Sequence, residues 1–107
     1  GRNNRQNDSL TASAEKNDIW FHIKGFHGSH VILSGAGGEP TDGDYTAAAM
    51  LAAYYSEKRG ASNVGVDYTR VRYLKKPGGS APGFVTYEKY FTAYVNAEMP
   101  ALEGKVR

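Results

Sequence analysis

The 107-residue chain contains no cysteine, and no hydrophobic run in it approaches the length of a membrane-spanning helix. The first absence excludes a disulfide framework and a thiolate metal site, and is compatible with a cytosolic location. The second predicts a chain without membrane contact. Residues 1–5 include no initiator methionine and no apolar signal-peptide core, so we expect a part of a longer protein.

Aromatic residues are plentiful, with eight tyrosines, four phenylalanines and one tryptophan in a chain that is 40% hydrophobic. This composition excludes disorder as the main content, and the length suits one compact domain rather than two. We expect residues 1–97 to form that domain. Residues 98–107 are polar with little periodicity and are predicted to be a C-terminal tail.

The first half of the chain predicts a hairpin followed by a helix. Alternating residues over 19–24 and 29–34 are typical of strands, and the glycines of segment 25–28 allow a tight reversal between them. Thr41-Asp42-Gly43-Asp44 resembles a capping box. It opens an alanine-rich helix that ends near Gly60, a residue suited to the left-handed C-terminal position.

The rest of the chain is predicted to be mainly strands. Residues 64–74 form one strand or a bent pair, residues 75–83 are rich in turn formers, and residues 84–87 and 90–95 look like a terminal hairpin. A short helix is predicted over residues 8–14. The fold class is therefore α+β, with a single mainly antiparallel sheet, one long alanine-rich helix and a short N-terminal helix.

Alternation in the first strand separates two kinds of side chain, since successive residues point to opposite faces. One face is apolar and belongs to the core. The other combines an aromatic ring, an imidazole and a cation, which suits stacking on a base and approach to a phosphate. An equally open alternative makes its aromatic residue part of a second core layer. The two sets are Ile19, Phe21 and Ile23, and Trp20, His22 and Lys24.

The net charge of +2 is distributed unevenly along the chain. Residues 56–76 hold six cations against two carboxylates, a net +4, whereas the only charges in residues 25–55 are three carboxylates. Clustered cations attract phosphate backbones with an affinity that falls as salt rises. The alternative is a solvated edge strand protected by positive charge.

Catalytic and metal sites are disfavoured. His22, His27 and His30 are close in sequence, but Asp18 is the only carboxylate at a useful spacing for a metal site. Ser29 and His30 are adjacent and would point to opposite faces of a strand, so they do not form a hydrolase pair. The glycine-rich loop before the helix lacks the Gly-Lys-Ser/Thr ending of a phosphate loop. We expect no enzyme activity, cofactor or metal.

Several motifs together resemble the NFACT-R domain, the C-terminal module of the bacterial RqcH or fibronectin-binding protein A-like family, whose eukaryotic counterpart is NEMF. The resemblance runs in order from Gly1 to about Val95. The family usually has another strand before the Gly-Arg-Asn motif, so the first strand is expected to be missing, and proline usually stands at the position of His27. The motifs are Gly1-Arg2-Asn3-Asn4, Gln6-Asn7-Asp8, Asp18-Ile19-Trp20-Phe21-His22, Gly28-Ser29-His30-Val31, the helix 48–56, Val66-Asp67-Tyr68-Thr69, Lys75-Lys76-Pro77 and Pro82-Gly83.

The resemblance implies a cytoplasmic, ribosome-associated quality-control factor. Members of this family bind large ribosomal subunits obstructed by peptidyl-tRNA, and they recruit alanyl-tRNA for C-terminal tailing of the stalled chain. The ribosome performs peptide transfer, so this module would bind tRNA or rRNA and cooperate with the other domains of its parent chain. A different class of function, surface adhesion through fibronectin, follows from the older family name.

Residue types and the resemblance together give a predicted RNA site. Trp20 or His22 would stack on a base or ribose, and Arg2 and His30 would join across the sheet. Asp8, Asp18 and Asp67 match family motifs but are acidic, so they are assigned to capping, to turn hydrogen bonds or to orienting cations. The predicted phosphate contacts are Lys24, Arg70, Arg72, Lys75 and Lys76.

Overall fold

A computed structural model describes residues 14–34, 38–79 and 84–100. Its strands form one antiparallel sheet in the order β2-β1-β3-β4, and a helix packs on one face, which confirms the α+β class. Within the described residues no helix is both long and apolar enough to span a bilayer. The elements are β1 (Ile19–Ile23), β2 (Val31–Leu33), α1 (Asp42–Tyr54), β3 (Val64–Arg70), a 3-10 helix (Val71–Tyr73) and β4 (Phe91–Val95).

Strands β1 and β2 pair as predicted, with Trp20 opposite Ile32. Their connection is wider than the predicted tight reversal, because it also contacts the end of the helix. Gly28 bridges to Ser56, and the Ser29 N–H donates to the Tyr55 carbonyl at 3.0 Å. A Cβ atom on Gly28 would lie 2.9 Å from that of Ser56, so this close approach requires glycine.

Helix α1 begins at the predicted capping box and ends earlier than predicted. The Asp44 N–H donates to Thr41 Oγ1 at 3.1 Å, and the Thr41 N–H donates to Asp44 Oδ2 at 2.9 Å. Beyond Tyr54, the Ser56 hydroxyl donates to the Ala53 carbonyl at 2.6 Å and accepts the N–H of Lys58. These local bonds replace helical ones, so the chain turns before Gly60. The predicted helix over residues 8–14 lies outside the described residues.

The main core lies between α1 and the sheet. Small alanine side chains let the helix axis lie close to the strands, and the alternating residues of β1 pack against them. The aromatic rings of Phe21 and Tyr68 stack at 5.3 Å within this layer. The buried members are Ile19, Phe21, Ile23, Val31, Leu33, Ala48, Ala49, Leu51, Ala52, Ala53, Val64, Val66 and Ala97.

The second half of the sheet differs from the predicted hairpin. Strand β4 pairs with β3, and residues 84–90, here called the strap, cross the face of the sheet opposite α1, here called the outer face. The strap is tied at Thr86, which exchanges two 2.8 Å backbone hydrogen bonds with Lys75. Strand β3 stops at Arg70, where the chain bends into the 3-10 helix. Residues 64–74, predicted as one strand or a bent pair, therefore form one shorter strand followed by a helical turn.

Candidate nucleic-acid interface

Trp20 occupies a second core layer on the outer face of the sheet. It is 1% exposed, stacks on His22 with ring centroids 5.7 Å apart, and meets the edge of His30 at 5.2 Å. The Tyr87 ring of the strap covers it at 5.0 Å. A ring enclosed in this way cannot stack directly on a base, so the predicted stacking role of Trp20 is wrong and the core alternative is correct for this residue.

Above Trp20 lies a cleft of about 570 Å³, here called the histidine cleft. Strand β1, the connection before β2 and the strap supply its lining. Its aromatic residues range from buried to strongly exposed, and the most exposed rings belong to Phe26 and Phe84, at 45% and 52%. The aromatic and imidazole rings that line the cleft are Trp20, His22, Phe26, His27, His30, Phe84 and Tyr87.

His22 is half-buried in this cleft, and burial lowers its pKa below the ordinary value. Backbone hydrogen bonds at Ile23 and Gly28 and the nearby Asp67 carboxylate oppose this effect without cancelling it. The imidazole is therefore neutral at pH 7 and offers a stacking surface rather than a charge. Among the described residues, no three or more histidine or carboxylate side chains are grouped closely enough to hold a metal ion.

Asp67 anchors the strap to the outer face. This carboxylate is 3% exposed and accepts the hydroxyls of Tyr87 and Thr92, each at 2.8 Å, and the ammonium of Lys24 at 3.2 Å. Burial and the bond to Asp67 raise the pKa of Tyr87, while hydrogen bonds to Asp67 and Tyr90 raise that of Lys24. Asp67 thus orients a cation, one of the roles predicted for it.

The predicted cations fall into two groups. Lys24 follows β1 near the histidine cleft, whereas Arg70 stands opposite Ile19 at the other end of the same strand pair, about 17 Å away along the strands. Arg70 faces the helix side, where it contacts Glu39 at 3.3 Å and donates to the Asn17 carbonyl at 2.7 Å. The Arg70 guanidinium is therefore already paired with other residues of this chain.

The second group continues beyond Arg70 into an exposed basic segment. Arg72 donates to the side-chain oxygen of Asn17 and is otherwise exposed, and Lys75 and Lys76 are also exposed. The predicted contact Arg2 lies outside the described residues. The structure therefore brings together Trp20, His22, His30 and Lys24, but does not place the Arg70–Lys76 cations beside them.

Sequence reasoning missed two exposed rings and one cation of the cleft. Phe26 and Phe84 both adjoin glycine in turn segments, where a large apolar side chain has few neighbours to bury it, and this was an available signal. Lys58 lies over Phe26 with its ammonium 4.4 Å from the ring centroid. This contact places a positive charge at the rim of the cleft.

Comparison with known proteins gives consistent matches. Residues 1–77 match the family described as "NFACT protein RNA binding domain". The chain is 46% identical over 99 residues to "Rqc2 homolog RqcH" of Bacillus subtilis (strain 168), covering 92% of the chain and 17% of that protein. It is 51% identical over 88 residues to the protein of the same name from Streptococcus pneumoniae serotype 2, covering 81% of the chain and 16% of the relative.

A solved structure is similar over a comparable share of the chain. It is described as the C-terminal of the fibronectin/fibrinogen-binding protein from Streptococcus suis, with a TM-score of 0.86 and 44% identity. The match covers 92% of this chain and 39% of that one. The chain thus spans about a sixth of the length of the curated relatives and well under half of the solved one.

Proposed function

Because this chain belongs to the NFACT protein RNA-binding domain family, we propose that it is an RNA-binding module of a ribosome-associated quality-control factor. The observation that carries the proposal is the family match over residues 1–77. Two structural features suit it: the exposed cations Arg72, Lys75 and Lys76, and the histidine cleft, where exposed aromatic rings lie near the Lys58 ammonium. Unpaired RNA bases stack on aromatic side chains, and neighbouring cations hold the phosphates.

The finer part of the proposal concerns the RNA. We propose tRNA and the rRNA of large subunits obstructed by peptidyl-tRNA as the partners, with recruitment of alanyl-tRNA for C-terminal tailing by the parent chain. The module supplies binding and no bond-making chemistry, and it acts in the cytoplasm on the ribosome. It works with the other domains of its parent chain, since the curated relatives that it matches are about six times as long.

Electrostatic contact would come mainly from the exposed segment at the end of β3. Lys75 and Lys76 are exposed neighbours, and Arg72 lies just before them. Each cation that neutralises a phosphate releases a counterion, so affinity depends steeply on salt. Arg70 contributes less in this arrangement, because Glu39 and Asn17 already engage its guanidinium.

The test is a salt series with labelled tRNA and purified large subunits, comparing the wild-type chain with Lys75→Glu/Lys76→Glu. We expect salt-sensitive binding that weakens in the variant, with the slope of log affinity against log salt reduced by roughly 1 to 2. Lys75→Arg/Lys76→Arg is the matched control and should retain the slope. Absence of wild-type binding at low salt would contradict the proposal.

A second candidate follows from the Streptococcus suis protein, whose description names fibronectin and fibrinogen. If adhesion were the function of this chain, immobilised fibronectin would capture it at physiological salt, and tRNA would not compete. We expect the reverse order of affinity, since the cleft and the basic segment both suit RNA. A competition assay with the two ligands on one surface separates the candidates.

A further inference from the structure

We propose that the histidine cleft holds a single unstacked nucleobase of single-stranded RNA, against Phe26 and Phe84 and over His22. This inference rests on the proposed function and adds a defined binding site and ligand class to it. The cleft, at about 570 Å³, has the size of a small-molecule site rather than of a groove for a duplex.

The exposed rings provide the stacking surface. Phe26 and Phe84 both line the cleft and are 45% and 52% exposed. Every base has a π face, and stacking on one aromatic side chain contributes about 1–3 kcal/mol per base. His22 adds a ring that stays neutral at pH 7, so it accepts stacking without the hydration of a charged group.

The cleft also contains an unused hydrogen-bond donor. The indole N–H of Trp20 is buried and has no hydrogen-bond partner in the structure. An indole nitrogen can only donate, and a buried donor without an acceptor is unfavourable. Nucleobases carry carbonyl oxygens and ring nitrogens that can accept such a bond. Because the N–H is buried, a base reaches it only when the covering Tyr87 ring moves aside.

Charges at the rim orient the backbone of the proposed ligand. Lys58 lies 4.4 Å from the Phe26 ring centroid and is available to a phosphate on that side. Glu57 also lines the cleft, but its carboxylate accepts the backbone N–H of His27 at 2.8 Å. A phosphate is therefore expected beside Lys58 and away from Glu57.

Trp20 makes the proposal directly measurable, because it is the only tryptophan of the chain and lines the cleft. The 107-residue chain is titrated at low salt with labelled hexamers of uridine and of adenosine, and with a hexamer duplex. RNA anisotropy reports all binding, and Trp20 emission reports the cleft. We expect saturable emission changes with the single strands that match the anisotropy curves. The duplex should bind without the emission change.

The variants Phe84→Ala and Phe26→Ala should each weaken single-strand binding by about 5- to 100-fold. Phe91→Ala is the matched control, since its ring is 70% exposed on β4 and lies away from the cleft, and it should leave affinity unchanged. Thermal unfolding of each variant verifies that its fold is retained.

Two results would overturn the proposal, and they differ in whether they also contradict the proposed function. In the first, anisotropy shows RNA binding, but Trp20 emission stays constant and Phe84→Ala binds with unchanged affinity. This result would exclude the cleft as the base-binding site and leave the proposed function standing. In the second, neither signal shows RNA binding, which would contradict both the base-binding cleft and the proposed function.

Discussion

The two faces of the sheet are built in different ways. On the helix side, apolar residues of β1 such as Phe21 meet alanines of α1, and hydrophobic burial holds the layers together. On the outer face, Trp20 is equally buried, but its cover is a strap fixed by hydrogen bonds. These bonds run from Tyr87 to Asp67 and from Thr69 to the Lys89 carbonyl. The helix side is therefore an apolar core, whereas the outer face is a core whose cover is held by hydrogen bonds and which has a cleft at its edge.

Removing a large side chain from the helix side should have the largest effect. Phe21 is fully buried and contacts both Tyr45 and Tyr68, so Phe21→Ala leaves a cavity lined by rings that have lost their partner. We expect a loss of about 3–5 kcal/mol in the free energy of unfolding, measured by urea denaturation. Phe91→Ala removes the same side chain from an exposed position and should cost far less. Equal losses would contradict the assignment of the core.

Asp67→Asn tests the outer face. It removes the charge that accepts hydrogen bonds from Tyr87, Thr92 and Lys24 while preserving the side-chain shape. We expect a loss of roughly 1.5–3 kcal/mol in unfolding free energy, together with weaker binding of single-stranded RNA as the strap loosens.

Glu88→Gln provides the control for Asp67→Asn, because it makes the same chemical change at an exposed strap position. Its stability and RNA affinity should match the wild type. If Asp67→Asn changed neither quantity, the strap would be held by its other contacts, such as the Thr86–Lys75 backbone hydrogen bonds, without help from the Asp67 charge.

A smaller effect should appear with pH, through His22. Its pKa is lowered in the folded chain, so between that value and about 6.5 the unfolded chain binds more protons at this site. Its contribution to stability is therefore complete above about pH 6.5 and is lost as pH falls through the folded pKa. We expect the melting temperature to fall less in His22→Gln than in the wild type between pH 7.5 and 5.5.

The exposed His27 is the matched control for this pH series, since both substitutions replace an imidazole with an amide. His27→Gln should keep most of the wild-type pH dependence. If His22→Gln and the wild type lost stability in parallel, another group would be responsible.

Much of the helix side was predictable, because it depends on local patterns. Alternation placed Phe21 toward the core, and the Thr41–Asp44 capping box marked the start of α1. The end of α1 was misplaced, since helix propensity beyond Tyr54 is overridden by the Ser56 side chain and by the bridge to Gly28. Propensity alone contains no information about such tertiary contacts.

The outer face was harder to predict, because its contacts join residues far apart in sequence. Alternation correctly put Trp20, His22 and Lys24 on one face, but nothing in that pattern indicated that a strap some 65 residues later would cover Trp20. The family resemblance predicted an RNA-binding role but not how the site residues are arranged in space. Burial then moves the expected stacking from Trp20 to the exposed rings of the cleft.

The smallest expected effect concerns Lys24, which lies on the outer face but is itself exposed. Its ammonium contacts Asp67 at 3.2 Å and the Tyr90 ring at 4.8 Å, yet water screens a charge in this position. Lys24→Met retains most of the side-chain length and should leave the urea midpoint almost unchanged, because Tyr87 and Thr92 still satisfy Asp67. The same variant should weaken RNA binding slightly and reduce its salt dependence if Lys24 reaches a phosphate. A large loss of stability would instead mean that the cation, rather than the two hydroxyls, keeps the buried carboxylate in place.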